Sequence, residues 1–182
     1  MARKTVHTTP RIIVACAALL LFAAGIQMNA GAQESNELFT IYLVRHAEKQ
    51  TMSDDPPLTA CGIQRSESLS TLFGAVPLEA VYSTDYRRTQ STALPTASAQ
   101  GLTVQSYSTQ AMDEFAKQLL RNEQDVLVVG HSNTTGVLAG LLVDEGIGAF
   151  DESIYNQVYQ VVISKDDKRL HVFHTAFECA EN

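Results

Sequence analysis

Two histidines and a handful of arginines in this 182-residue chain stand where they could do chemistry together. Arg45, His46 and Glu48 follow the run Leu38 to Val44, six of whose seven residues are apolar. Gly130-His131-Ser132-Asn133-Thr134 follows a second apolar run, Val126 to Val129, and Gly130 would let the backbone approach a ligand closely. Between them, Ala80-Val81-Tyr82-Ser83 leads into Thr84-Asp85-Tyr86-Arg87-Arg88-Thr89. The planar fork of arginine matches phosphoryl oxygens, and an imidazole serves as a nucleophile as well as a base. Fixed cations around an imidazole draw in a dianionic phosphoryl group and keep the attacking nitrogen unprotonated. A helix beginning after His131 would add backbone donors and its dipole. The combination suits moving a phosphoryl group with neither metal nor cofactor. No Walker-type glycine loop, His-Glu zinc motif or acidic metal cage competes with it in the sequence.

Such a site needs strands that end at one place. Continuous apolar runs of strand length read as strands buried on both faces, as in a parallel sheet covered by helices. In sheets of that kind ligands sit beyond the carboxyl ends of the strands, where these residues fall. A loop is expected over Gln50 to Pro57, then a helix over Thr59 to Gly74 with Ile63, Leu69, Leu72 and Phe73 facing inward and Arg65 solvated or ion-paired. Further helices are expected over Arg88 to Ala99, with Pro95 at a kink or near the end, over Ala111 to Arg121, and over Thr134 to Glu145, with hydroxyl and amide residues to cap its start. A short strand is expected over Gly101 to Val104. Gln157 to Ser164 and Arg169 to Phe177 read as a hairpin around the polar turn Lys165 to Lys168. His171 and His174 would then lie on opposite faces of one strand and could not share a metal. The fold expected is α/β, a three-layer sandwich with a mostly parallel central sheet, helices on both faces and an antiparallel edge from the C-terminal hairpin.

The start of the chain reads differently. Arg3, Lys4 and Arg11 precede the 15-residue apolar run Ile12 to Ile26, and Ala30-Gly31-Ala32 offers small residues for cleavage. Residues 1–32 are expected to be a secretory signal peptide and 33–182 a single domain, exported to the periplasm or secreted, with no stable membrane association after cleavage. The mature chain would then carry 13 − 3 = 10 basic against 20 acidic residues, a net charge of −10. Such a surface repels nucleic acid, so an anion must bind in a local pocket. Cys61 and Cys179 remain in the mature chain. An oxidising compartment allows a bridge between them, and sequence leaves bridge and free thiols both open.

Several of these pieces recur together in a known family. Arg45-His46 after a buried strand, Leu58-Thr59 with Gly62, Ser83 with Arg88-Thr89 and Thr92-Ala93, and Gly130-His131 after another strand resemble the histidine phosphatase superfamily, also called phosphoglycerate mutase-like. The resemblance runs through residues 38–164 in order. It implies His46 as a nucleophile that becomes phosphohistidine, with Arg45, Arg88 and His131 binding the phosphoryl oxygens and Asn133 or nearby backbone assisting. Glu48, close to the nucleophile in sequence, joins the two histidines as a catalytic candidate. The family's usual Arg-His-Gly is Arg45-His46-Ala47 here, which narrows the turn. Arg87 and Arg88 compete for one role, and Arg88 is chosen because Thr92 then falls at the family's spacing. The proton donor stays open among Asp113, Glu114 and Glu152.

Only 42 residues separate Arg88 from His131, too few for long insertions around the pocket. The resemblance therefore points to an open site and a small phosphatase acting on phosphomonoesters or a phosphoprotein, similar in size to the compact phosphohistidine phosphatases. The oligomeric state is left open. Two rivals remain. Gly130-His131-Ser132 could be part of a serine hydrolase elbow with Ser132 attacking, although Thr134 stands where the elbow needs glycine. Alternatively the pocket could bind or sense phosphate without turnover.

Overall fold

The computed structural model describes residues 38–179; the expected leader over 1–32 and the polar residues 33–37 lie outside the described residues. Six strands form one sheet: β1 Phe39–Arg45, β2 Ala80–Ser83, β3 Val104–Ser106, β4 Val126–Gly130, β5 Gln157–Ile163 and β6 Lys168–His174. Their order across the sheet is β3-β2-β4-β1-β5-β6. The first four run parallel, while β5 pairs antiparallel with β1 and β6 antiparallel with β5. The chain is thus the mostly parallel α/β sandwich with an antiparallel edge that the sequence predicts. The third strand starts three residues later than expected.

Residues of β4 alternate between two cores. Val126 and Val128 pack with α3 (Met112–Asn122) and α4 (Thr135–Val143) through Phe115, Leu119, Leu138 and Leu142. Leu127 and Val129 pack on the other face with α1 (Ala60–Phe73) and α2 (Arg87–Ala99) through Leu69, Phe73, Ala93 and Ala97. Every residue of β4 is buried, which explains why it is apolar throughout instead of alternating. Pro95 lies inside α2, not at its end.

Helix α1 corrects one expectation. Ile63 and Leu72 are 51% and 44% exposed, and the inward face is Gly62, Arg65, Ser66, Leu69 and Phe73. The spacing is helical, but a glycine, an arginine and a serine occupy positions where apolar residues were expected. Thr59 caps the helix, its hydroxyl accepting from Gly62 N–H at 3.0 Å. A Cβ at Gly62 would lie 2.2 Å from the carbonyl oxygen of Glu48, so only glycine lets α1 seat this closely on the segment after β1. Cys61, in the first turn of α1, is disulfide-bonded to Cys179, with Cα atoms 5.5 Å apart. No helix among the described residues is long and apolar enough to cross a membrane.

Candidate active site

Three neighbouring parallel strands end in the residues singled out above. In the register of β1 with β4, Arg45 lies beside Gly130, so His46 and His131 are the next residues out on adjacent strands. Ser83 lies beside Val129, which brings Thr84 level with Gly130, one residue short of His131. His46 N–H donates to Gly130 C=O at 2.9 Å, tying the two strand ends together. The imidazole centroids are 5.4 Å apart and inclined at 68°.

His46 is 3% exposed. Its Nδ1 is 2.8 Å from the carbonyl oxygen of Ala47, and a carbonyl only accepts, so Nδ1 carries the proton and Nε2 keeps its lone pair. Burial lowers the pKa of this imidazole to about 3; Arg45, His131 and Arg88 push the same way, while the Ala47 carbonyl opposes them. His131 is lowered to about 4 by burial and then by Arg88 and Arg45. Both rings are therefore neutral near pH 7, as the cations around them require. Ala47 N–H donates to Thr92 Oγ1 at 2.9 Å, and the positive-φ residues among those described are Glu123, Asp144 and Gly101. Ala47 thus replaces glycine without strain, because this turn does not use the left-handed region.

The two arginines frame the histidines. Arg45 Nη1 donates to the carbonyls of Glu152 and Ile154, the latter at 3.2 Å, and its guanidinium lies 4.1 Å over the Tyr155 ring. Arg88 lies 4.2 Å over the Tyr86 ring, with Nη1 3.7 Å from Asp55 Oδ1. Arg45 Nε and Arg88 Nε and Nη1 are buried with no hydrogen-bond partner. Buried donors rarely stay unpaired, and a group with several acceptor oxygens would satisfy these. Arg87 is exposed.

Other sequence-predicted residues are placed elsewhere. Glu48 is paired in two-pronged fashion with Arg65, whose Nη2 is 2.6 Å and Nε 2.9 Å from Oε1, so its carboxylate is committed to α1 instead of to the histidines. That pair accounts for the buried Arg65. Asn133 is exposed. Thr134 stands at the N-cap of α4 without a side-chain capping hydrogen bond; its hydroxyl instead accepts from His131 N–H at 3.0 Å. At Gly130, the space a side chain would take is filled by the hydroxyls of Tyr107, Thr134 and Thr135, so this glycine makes room for protein atoms and not for a ligand. Glu114 is ion-paired to Lys117 on exposed α3 surface, and Asp113 beside it is also exposed. Of the three carboxylates considered as proton donors, the structure brings only Glu152 alongside Arg45. Ser132 is buried, but the adjacent His131 ring bonds Thr84 Oγ1 through Nε2 at 3.0 Å and not Ser132. Among the described residues, one trio has metal-ligand spacing, Glu48 with Cys61 and Cys179, and those cysteines are bonded to each other.

Four residues at the site escaped sequence reading: Thr84, Tyr86, Asp55 and Tyr155. Thr84 follows the third strand exit, and that position was its one available signal. The others come from loops without periodicity.

The model of the histidine phosphatase superfamily (branch 1) matches residues 41–114, spanning β1, α1, β2, α2 and β3. Over that stretch the chain is similar to the histidine phosphatase superfamily. Among solved structures, it is similar to a mycobacterial glucosyl-3-phosphoglycerate phosphatase at 13% identity and a TM-score of 0.63, over 76% of this chain and 100% of that one. The protein histidine phosphatase SixA, solved with tungstate, matches at 15% identity and a TM-score of 0.62, over 75% and 97%. The α-ribazole phosphatase from Shigella flexneri matches at 18% and 0.60, over 79% and 100%. At these identities the structural likeness establishes the fold. A search of curated protein sequences finds no match.

Proposed function

We propose that the protein is an exported, metal-independent phosphatase that hydrolyses phosphomonoesters or a phosphoprotein through a phosphohistidine on His46. One observation carries this reading: a neutral, buried His46 with Nδ1 held by the Ala47 carbonyl and Nε2 left free, between two arginines of which Arg45 Nε and Arg88 Nε and Nη1 are buried without a hydrogen-bond partner. In the first step Nε2 attacks phosphorus, the bond from phosphorus to the leaving oxygen breaks, and that oxygen takes up a proton from water. A second water then attacks phosphorus, the P–N bond breaks, and His46 and inorganic phosphate are released. Arg45 and Arg88 supply the charge that stabilises the equatorial oxygens. If the Thr84 hydroxyl donates to His131 Nε2, Nδ1–H of that ring is left to donate to a phosphoryl oxygen.

Incubation with a 32P-labelled phosphoester should give an acid-labile, base-stable label that is lost in His46→Ala. Tight phosphate binding with no turnover across a panel of phosphosugars, nucleotides and phosphopeptides would instead make the protein a sensor. Loss of activity in Ser132→Ala would favour a serine nucleophile. Export rests on the leader, and the Cys61–Cys179 bridge suits an oxidising compartment. The N-terminus of protein recovered from culture medium or periplasm should be Gln33, and a chain still beginning at Met1 would contradict export with cleavage.

A further inference from the structure

Around the cationic floor of this pocket runs a rim of opposite sign. Asp55, at the end of the loop closed by the Lys49 to Leu58 bridge, accepts from Arg87 N–H at 2.9 Å and stands 3.7 Å from Arg88. On the opposite flank Glu152 and Asp151 both act electrostatically on Arg45, and the backbone of Glu152 holds its guanidinium. Tyr86 and Tyr155 back the two guanidinium groups, and Tyr86 is 45% exposed, leaving aromatic surface at the mouth.

The charge count decides what such a rim does. A bound phosphoryl dianion neutralises Arg45 and Arg88. Whatever is attached to phosphorus then meets the three carboxylates of Asp55, Asp151 and Glu152, with the exposed Arg87 against them, so these groups together make the mouth negative. A second anionic group on the substrate is repelled there. An ammonium is attracted by the carboxylates and gains from the ring faces.

Resting on the phosphatase reading above, we propose that the site selects phosphoryl compounds whose leaving group is uncharged or cationic, and that Asp55 and Glu152 enforce the choice. Substrates carrying a further carboxylate or phosphate near the phosphoryl group are disfavoured. The selection is electrostatic and so weakens with salt.

The test compares kcat/KM for phosphocholine and phosphoethanolamine with that for 3-phosphoglycerate, using p-nitrophenyl phosphate as an uncharged reference. At low ionic strength the cationic esters should lead the carboxylated one by about 10-fold or more, since each rim charge contributes roughly 3- to 10-fold at the effective dielectric of a surface site. Asp55→Asn, which keeps an acceptor for Arg87 N–H, and Glu152→Gln should each shrink that ratio by about 3- to 10-fold, chiefly by improving the carboxylated ester. Raising salt to 0.5 M should shrink it in the unmodified protein and much less in the double variant. Equal kcat/KM for the two classes, or a ratio indifferent to Asp55→Asn and to salt, overturns the proposal. Calorimetric binding of the same compounds to His46→Ala gives the ranking without turnover. Failure to hydrolyse any ester would therefore sink the phosphatase reading, while the charge preference would still be decided by binding.

Discussion

Acid should destabilise this protein through its two central histidines, and the size of the effect follows from their burial. A free imidazole titrates near 6.5, whereas His46 in the fold titrates near 3 and His131 near 4. Between those values the unfolded chain binds more protons than the folded one, so stability falls as pH falls. At pH 4.5 each ring is still held neutral against a difference of about two pH units, a loss of roughly 2–3 kcal/mol per histidine relative to pH 7.5. Urea unfolding at pH 7.5 and 4.5 measures the total, and His46→Asn and His131→Asn measure the shares. Each variant should lose about 2–3 kcal/mol less than the unmodified protein over that interval. Carboxylates elsewhere titrate equally in all three proteins and cancel in the comparison. If the variants lose as much as the parent, the rings are not held neutral by the fold, and the argument that His46 is a ready nucleophile fails with it.

Three other outcomes follow from the same geometry. Arg88→Ala should lower kcat/KM by about 100-fold or more, as loss of a transition-state charge clamp does, while leaving the melting temperature unchanged or higher because two buried nitrogens without hydrogen-bond partners are removed. Thr84→Val keeps the shape of the side chain but deletes the hydrogen bond to His131, and steady-state kinetics should show kcat reduced about 10-fold with KM little altered. Reduction of Cys61–Cys179, which joins residues 118 apart, should cost about 2–5 kcal/mol in denaturant unfolding compared with the oxidised protein.

The parts legible in sequence were those with a one-dimensional signature. The runs at β1 and β4 are apolar because both faces are covered, and a strand buried on both faces announces itself without partners. Their ends, and so Arg45, His46 and His131, could be found from the runs alone. Helix α1 shows where this stops. Arg65 faces inward because Glu48, 17 residues earlier, meets it across the helix, and Ile63 is outside because that face meets solvent. No local pattern distinguishes a paired buried arginine from an exposed one. The same contact holds the Glu48 carboxylate against α1. In sequence Gly130 offers room for a ligand, but its space is shared among hydroxyls from β4's own sequel and from Tyr107, which joins only when the sheet is assembled. Tyr155 and Asp55 reach the site from irregular segments on opposite sides, where neither period nor composition marks a position.

The pairing of Arg45 with Gly130 carries one more consequence. Alternate residues of a strand face opposite ways, so a slip of one position between β1 and β4 would move each residue of the slipped strand into the core on the other face, where the packing does not match it, and separate the two imidazoles at the same time. Misregistered chains are thereby both unstable and silent. Turnover in a refolded sample consequently reports the fraction of molecules with the central strands correctly aligned.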